Sequence, residues 1–417
     1  MKIIPIIYAL LLLCYYGKAQ VEWQKHAANP VLSKGASSFE AIALGQPVVL
    51  FEQDTIKMWY AAVGTDMKAR ISYAWSLDGI NWNKINNATP VFDVGLSGSW
   101  DSGWLDAPEV VHGPEGYKLY YYGDVKQQGP EISSAYGLAT SPDGINWTRH
   151  ASNPVFSKAD SAKWDGKWIE SPAVLYDEKS GQYMMWYSGV GWNWLIHIGL
   201  ATSPDGITWT RHPNNPIISL GPSKSFDDMW MAVPSVIKTN NTFEMWYSGF
   251  SSISAFDTLR IGYATSVDGI NWTKHKDNPV YDRFYSPFDT LNDQDGPWAP
   301  DVIFDSTKNT YLMFYEGTSG IQLAASPKTV SIPAVDPECS SFHIDPNTSE
   351  NGQILRIENK TGSTYTLIVL NAKGQIVYCS ENISSQYHQV SCSILSSGVY
   401  FARLMSSNNQ QTFQIIR

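Results

Sequence analysis

Cysteine, positive charge and long apolar runs are scarce in this chain. Of four cysteines in 417 residues, Cys14 lies in the N-terminal apolar stretch, and Cys339, Cys379 and Cys392 fall in the last 80 residues. None has zinc-ligand spacing, so a cysteine metal centre is excluded; a Cys379–Cys392 disulfide is the pairing open to an exported chain, with Cys339 left over. Lys and Arg number 29 against 39 Asp and Glu, a net charge of −10 with no basic cluster. Nucleic acid is thereby set aside as a partner, because phosphate binding needs a basic footprint. The apolar run Ile3–Tyr16 is the one long run. Its about 14 residues fall short of the ~20 that span a bilayer. With Lys2 before it and Gly17-Lys18-Ala19 after it, residues 1–19 read as a secretory signal peptide. No Ser-His-Asp spacing, phosphate loop or metal motif is present, and no cofactor is expected.

What the chain has is aromatic residues and repetition. It is 13% aromatic, with 17 Trp and 23 Tyr, a composition that belongs to a packed globular protein. One motif returns four times: Ser76-Leu-Asp-Gly-Ile-Asn-Trp82, Ser141-Pro-Asp-Gly-Ile-Asn-Trp147, Ser203-Pro-Asp-Gly-Ile-Thr-Trp209 and Ser266-Val-Asp-Gly-Ile-Asn-Trp272, at a period of 62 to 65 residues. A period of that size marks a repeat architecture. Each unit carries four strand-like pieces. The first starts at a proline (Pro47, Pro108, Pro172, Pro234, Pro300), the second is aromatic (Met58, Leu119, Met184, Glu244, Leu312), and Asp-Gly turns the third into the fourth. Five such units read as an all-β, five-bladed β-propeller over residues 20–330. The fifth unit ends at Ile321–Ser326 without a fourth strand, and Val21-Glu-Trp-Gln-Lys-His26 is a fourth strand without a unit. The N-terminal strand is therefore expected to complete the last blade and close the ring, removing the free sheet edges.

Recurring residues are expected to be scaffold. These include the Asp-Gly aspartates, the pairs Phe39-Glu40, Trp100-Asp101, Trp164-Asp165 and Phe226-Asp227, and Trp104, Trp168 and Trp230, read as packing between blades. Chemistry is sought where one copy breaks the rule. Two residues before the first-strand prolines stand Gly45, Asp106, Glu170, Ala232 and Trp298. First strands line a propeller's axis, so Asp106 and Glu170 are expected to share the central cavity. Paired carboxylates suit acid/base cleavage of a glycosidic bond. Glu316, where blades three and four have Ser188 and Ser248, and Asp301, after Pro300, are further expected substrate contacts. So are Trp192, Trp194 and His197, an aromatic group found in blade three alone, since aromatic faces stack on sugar rings.

The Ser-x-Asp-Gly-x-x-Trp unit resembles a shortened Asp-box turn of sialidase-type propellers. The pattern as a whole resembles the five-bladed glycosidases, the family-43-like group of arabinanases, β-xylosidases, levansucrases and invertases. That resemblance implies Glu170 as general acid, Asp106 as the stabilising carboxylate one blade earlier, and a base in blade five, where Asp295 and Asp293 are the candidates. A central structural Ca²⁺ occurs in some relatives; nothing in this sequence demands it. The implied function is a secreted glycoside hydrolase acting on a poly- or oligosaccharide. The alternative is a non-catalytic glycan- or protein-binding propeller on the cell surface. After a linker at 331–340, tryptophan disappears and short alternating runs signal a small β-sandwich, residues 341–417. Pro346–Gly352, Asn371–Val377, Ser397–Arg403 and Gln414–Arg417 resemble the C-terminal sorting domain of type IX secretion. This implies the secretion machinery as a partner and a destination outside the cell or on its outer surface, with a monomer expected.

Overall fold

The computed structural model describes residues 23–327 except 86–88, 126–133, 252–258 and 283–295. In the C-terminal part it describes 342–345, 354–359, 364–371, 376–385, 387–391, 399–406 and 409–416. The expected leader and linker lie outside the described residues. The chain divides into two compact units between Thr329 and Val330.

The first unit is five antiparallel meanders. Blade one is Ala43–Glu52, Thr55–Val63, Ala69–Ser76 and Asn83–Lys84. Blade two is Trp104–Gly113, Gly116–Asp124, Ala135–Ser141 and Thr148–Arg149. Blade three is Trp168–Asp177, Gln182–Val190, Ile196–Ser203 and Thr210–Arg211. Blade four is Trp230–Thr239, Thr242–Phe250, Arg260–Ser266 and Thr273–Lys274. Blade five takes Trp298–Asp305, Thr310–Gly317 and Gly320–Pro327 from late in the chain, and its outer strand, Gln24–Lys25, from the start. Gln24 faces Ala325 and Lys25 faces Ala324, so the orphan half-repeat fills the gap as the pattern required. Asn29 completes the closure: its Nδ2 donates to the Leu323 carbonyl at 2.9 Å and its Oδ1 accepts from the Leu323 N–H at 2.8 Å. Each first strand packs on its two neighbours, and blade five's lies against blade one's.

One apolar cluster fills each of the five interblade spaces. The repeated residues explain why the blades stay in register. In the Asp-Gly turn, Asp78 Oδ1 accepts from the Ile80 and Asn81 amides, both at 2.8 Å, which holds its carboxyl well below the usual range. The turn glycine takes a left-handed φ, +73° at Gly269, and in three of the four turns its carbonyl receives an aromatic donor from the preceding blade. Trp59 reaches Gly144 at 2.7 Å, Tyr120 reaches Gly206 at 2.8 Å and Trp186 reaches Gly269 at 2.8 Å. At the closure the turn is missing. The corresponding Trp246 is fully buried with no partner for Nε1 and packs edge-on to Trp23, ring centroids 6.2 Å apart. The recurring acids are staples: buried Asp165 accepts from Tyr187 Oη at 3.0 Å and Arg211 Nε at 2.8 Å, and Glu40, Asp101 and Asp227 do the same with Tyr60–Lys84, Tyr121–Arg149 and Tyr247–Lys274.

The second unit holds two antiparallel sheets. One comprises Phe342–Asp345, Ile354–Asn359 and Tyr387–Ser391; the other comprises Ile376–Ile383, Tyr365–Asn371, Val399–Ser406 and Asn409–Ile416. Tyr365, Leu367 and Val369 are buried on one face, and the last two face the buried Leu404 and Ala402. The disulfide expectation is corrected here. Cys379 is an exposed free thiol, while Cys339 and Cys392 lie outside the described residues.

The stitching gives a paired test. Trp186→Phe removes a buried hydrogen bond that Trp246→Phe does not, at equal loss of ring. Urea unfolding should therefore find Trp186→Phe less stable than Trp246→Phe by about 1 kcal/mol. Equal losses would mean that the indole–carbonyl stitch contributes nothing.

Candidate active site

The site grows out of one irregularity repeated five times. Each first strand slips register at its proline: Gly45/Val48, Asp106/Glu109, Glu170/Pro172, Ala232/Ser235 and Trp298/Asp301. The residue before the proline is left-handed in every blade, with φ of 46° at Gln46, 44° at Ala107, 52° at Ser171, 50° at Val233 and 50° at Ala299. Such a β-bulge turns an amide out of the ladder, and a buried amide must find an acceptor. At three of the five bulges the preceding blade supplies it from the residue after the second-strand tyrosine. Ser188 Oγ accepts from Val233 N at 2.8 Å and Ser248 Oγ from Ala299 N at 3.1 Å. In blade five that residue is Glu316, whose Oε2 accepts from Gln46 N at 3.1 Å. Blade one has Ala61 there, and Ala107 N instead donates to Asp106 Oδ1 at 2.6 Å.

Glu316 consequently lies over blade one. A Cβ built on Gly45 would stand 2.1 Å from Glu316 Oε2, so glycine leaves the seat that this carboxylate fills. Three consecutive seats round the axis thus hold carboxylates: Glu316 over Gly45, then Asp106, then Glu170. Ala232 and Trp298 form the apolar remainder. Trp104 and Trp168, expected to pack between blades, also lie beside these acids, and Trp168 packs against the buried cluster that Val190, Ile196, Ala232 and Ala299 form across blades three to five. Trp104 Nε1 donates to Asp106 Oδ2 at 3.1 Å, and the Trp168 side chain favours the ionised form of Glu170, against its burial.

The three acids act on one another. Burial, reinforced by the charge of Asp106, pushes Glu170 from 4.5 up to about 7. Burial and the same Asp106 charge push Glu316 up to about 7. Burial also raises Asp106, against its bonds from Trp104 and Ala107. Tyr122 was missed by the sequence reading. It stands where other blades have Ala61 or serine, donates to Asp124 Oδ2 at 3.1 Å, and lies within the fields of Asp124, Glu170 and Asp106. Its signal was visible, because the third tyrosine of Leu119-Tyr-Tyr-Tyr122 breaks the repeat as Glu316 does. Beside Glu316 opens a cavity of about 410 Å³, walled in part by Trp230, Trp298 and Lys34.

The other expected residues fall elsewhere. Asp295 and Asp293 lie outside the described residues. Asp301 sits one layer down the axis with both oxygens engaged, Oδ2 by Val49 N at 2.6 Å and Oδ1 by Ser235 Oγ at 3.0 Å. Its neighbour in charge is Glu109, which accepts from Val174 N at 2.8 Å. Both border a void of about 30 Å³ walled by the five prolines. Ca²⁺ takes six to eight oxygens, and these engaged carboxylates do not make such a cage; among the described residues no group of three or more His, Cys, Asp or Glu is gathered for a metal. Trp192 and Trp194 are 55% and 56% exposed on a blade-three loop. His197 lies apart from them, edge-on to Trp164 at 6.2 Å, with Nδ1 unpartnered.

A group whose pKa is higher folded than unfolded stabilises the fold while protonated and withdraws that contribution as it ionises. For Glu170 and Glu316 the withdrawal runs from about pH 4.5 to about pH 7. The melting temperature should therefore fall across this window, and less steeply in the Glu170→Gln, Glu316→Gln double variant. Parallel curves for the two proteins in a pH series of thermal melts would contradict the assignment.

Comparison with known proteins agrees with this architecture. Residues 346–417 match the family model of the secretion system C-terminal sorting domain. Two uncharacterized proteins of Mycobacterium tuberculosis are 26% identical over 191 residues; the match spans 44% of this chain and 59% of each relative, so the chain spans about three-fifths of their length. A structure from the family-130 mannoside phosphorylases, a family that contains glycoside hydrolases targeting β-1,2 mannosidic linkages in Candida mannan, is 22% identical with a TM-score of 0.57, over 75% of this chain and 96% of that one. A glycosyl hydrolase from Bacteroides ovatus is 19% identical with a TM-score of 0.57, over 74% and 94%. A thermostable family-43 glycoside hydrolase is 16% identical with a TM-score of 0.52, over 70% and 91%. The chain thus joins the propeller fold of these glycoside hydrolases to a type IX secretion sorting domain, the signal that sends a protein to the cell surface or the medium.

Proposed function

We propose that the protein is an exported glycoside hydrolase whose reaction takes place at the carboxylate seats of the propeller axis. The observation that carries this reading is the run Glu316, Asp106, Glu170 on consecutive seats, with two members pushed up to about 7. A carboxyl poised near neutrality can donate a proton to a leaving oxygen and take one from water. Glu170 is assigned the general acid. Glu316, on the far side of Asp106, is assigned its base partner. Asp106, between them, is assigned to stabilise the positive charge that develops on the sugar ring. Asp295 stays a further acidic candidate from blade five. Trp192 and Trp194 supply a stacking surface for the sugar chain.

A second reading has one observation in its favour. Glu316 and Asp106 each cap a bulge amide, which a non-catalytic, glycan-binding propeller also requires.

Turnover of plant and algal oligosaccharides by the mature protein separates the two. On the hydrolase reading, Glu170→Gln lowers kcat at least about 100-fold on the natural linkage. It retains most activity on an aryl glycoside whose leaving group needs no proton, and the decline of rate above about pH 7 disappears with that substrate. Unchanged turnover in Glu170→Gln would remove it from the acid role, and saccharide binding without turnover by the wild type would establish the second reading.

A further inference from the structure

Five residues before the first-strand prolines stand Ile42, Gly103, Lys167, Met229 and Asp295. Lys167 is the one cation in this set, and it adjoins Trp168, two residues before Glu170. Its ammonium lies 2.7 Å from the ring centroid of Trp194, 5.0 Å from that of Trp168 and 5.4 Å from that of Trp192. Among the described residues no carboxylate pairs with it, in contrast to Arg149, Arg211 and Lys274 of the staples. Its pKa accordingly moves down, with desolvation as the cause.

The loop around it is built. Trp194 is held at a left-handed φ of 63°, which a large side chain adopts under constraint. Its N–H donates to the Gly191 carbonyl at 3.0 Å, its carbonyl accepts from Trp230 Nε1 at 3.2 Å, and Asn193 Oδ1 accepts from Leu195 N at 3.2 Å. The result is a fixed cation with aromatic walls, open to solvent on the exposed faces of Trp192 and Trp194. Tryptophan faces hold an ammonium without neutralising it, so the charge remains available to an incoming anion.

We infer that Lys167, walled by Trp168, Trp192 and Trp194, receives an anionic substituent of the glycan, a uronate carboxylate or an ester sulfate, and that the substrate class is acidic polysaccharide. The inference rests on the axial site being a glycan site, and it is tested by binding rather than turnover, so either can fail alone. The probes are glucuronate- and galacturonate-containing oligosaccharides with their carboxyl-reduced counterparts, and sulfated galactan oligosaccharides with their desulfated counterparts. Each is titrated calorimetrically into the full mature protein. The wild type should hold at least one anionic probe roughly fivefold or more tighter than its neutral twin, the scale of a partly exposed charge pair. That advantage should shrink with added salt. Lys167→Met should bring the ratio close to one, and Lys167→Arg should preserve it. A carboxylate source and a sulfate source are told apart by which pair shows the preference. No anionic probe preferred over its twin, or a Lys167→Met variant that weakens both twins equally, would make Lys167 a brace for the tryptophan loop and overturn the inference. The salt dependence of the wild type decides the matter should the variant not fold.

Discussion

At three of the five first-strand bulges the neighbouring blade supplies the hydrogen-bond acceptor, and the axis is arranged around that need. Five left-handed bulges turn five amides toward the axis, where a buried N–H without a partner costs about 1–3 kcal/mol. A serine hydroxyl is sufficient, as Ser188 and Ser248 show. Glu316 in the same role uses Oε2 and has Oε1 to spare. That acid therefore has a structural duty and a chemical capacity in the same group.

The spare capacity is unevenly distributed. Three consecutive seats carry acids, while Ala232, Val233 and Ala299 are buried on the other side with Trp230 and Trp298 packed against them. Like charges beside an apolar wall cannot all ionise cheaply. Asp106, in the middle, raises both of its neighbours. A symmetric ring thus becomes a directional site through substitutions at a few repeated positions, with no departure from the backbone plan.

Most of the fold was legible in the sequence because its determinants are local. The Asp-Gly turns, the prolines and the aromatic second strands repeat at a fixed period, and the missing strand at one end matched the surplus at the other. Asp106 and Glu170 were legible as breaks in that repeat. Glu316 was legible as a break but not as the occupant of blade one's seat. Alignment of repeats gives register within a blade, whereas the space over Gly45 is set by the approach of two blades. The same limit hid the bond of Trp104 to Asp106, and the placement of Lys167 among three indoles. Tyr122 needed only the rule used for the prolines, applied to the second strand.

Closure of the ring by residues from both ends of the propeller sequence has a topological consequence. Glu316 and the amide it caps, Gln46 N, lie on opposite sides of the seam where blade five meets blade one. Asp106 and Glu170 sit on consecutive blades, whereas Glu316 reaches its seat from the last blade. The row of acids is therefore completed only where blade five packs on blade one, which makes it a property of the closed circle rather than of any run of neighbouring strands in the sequence.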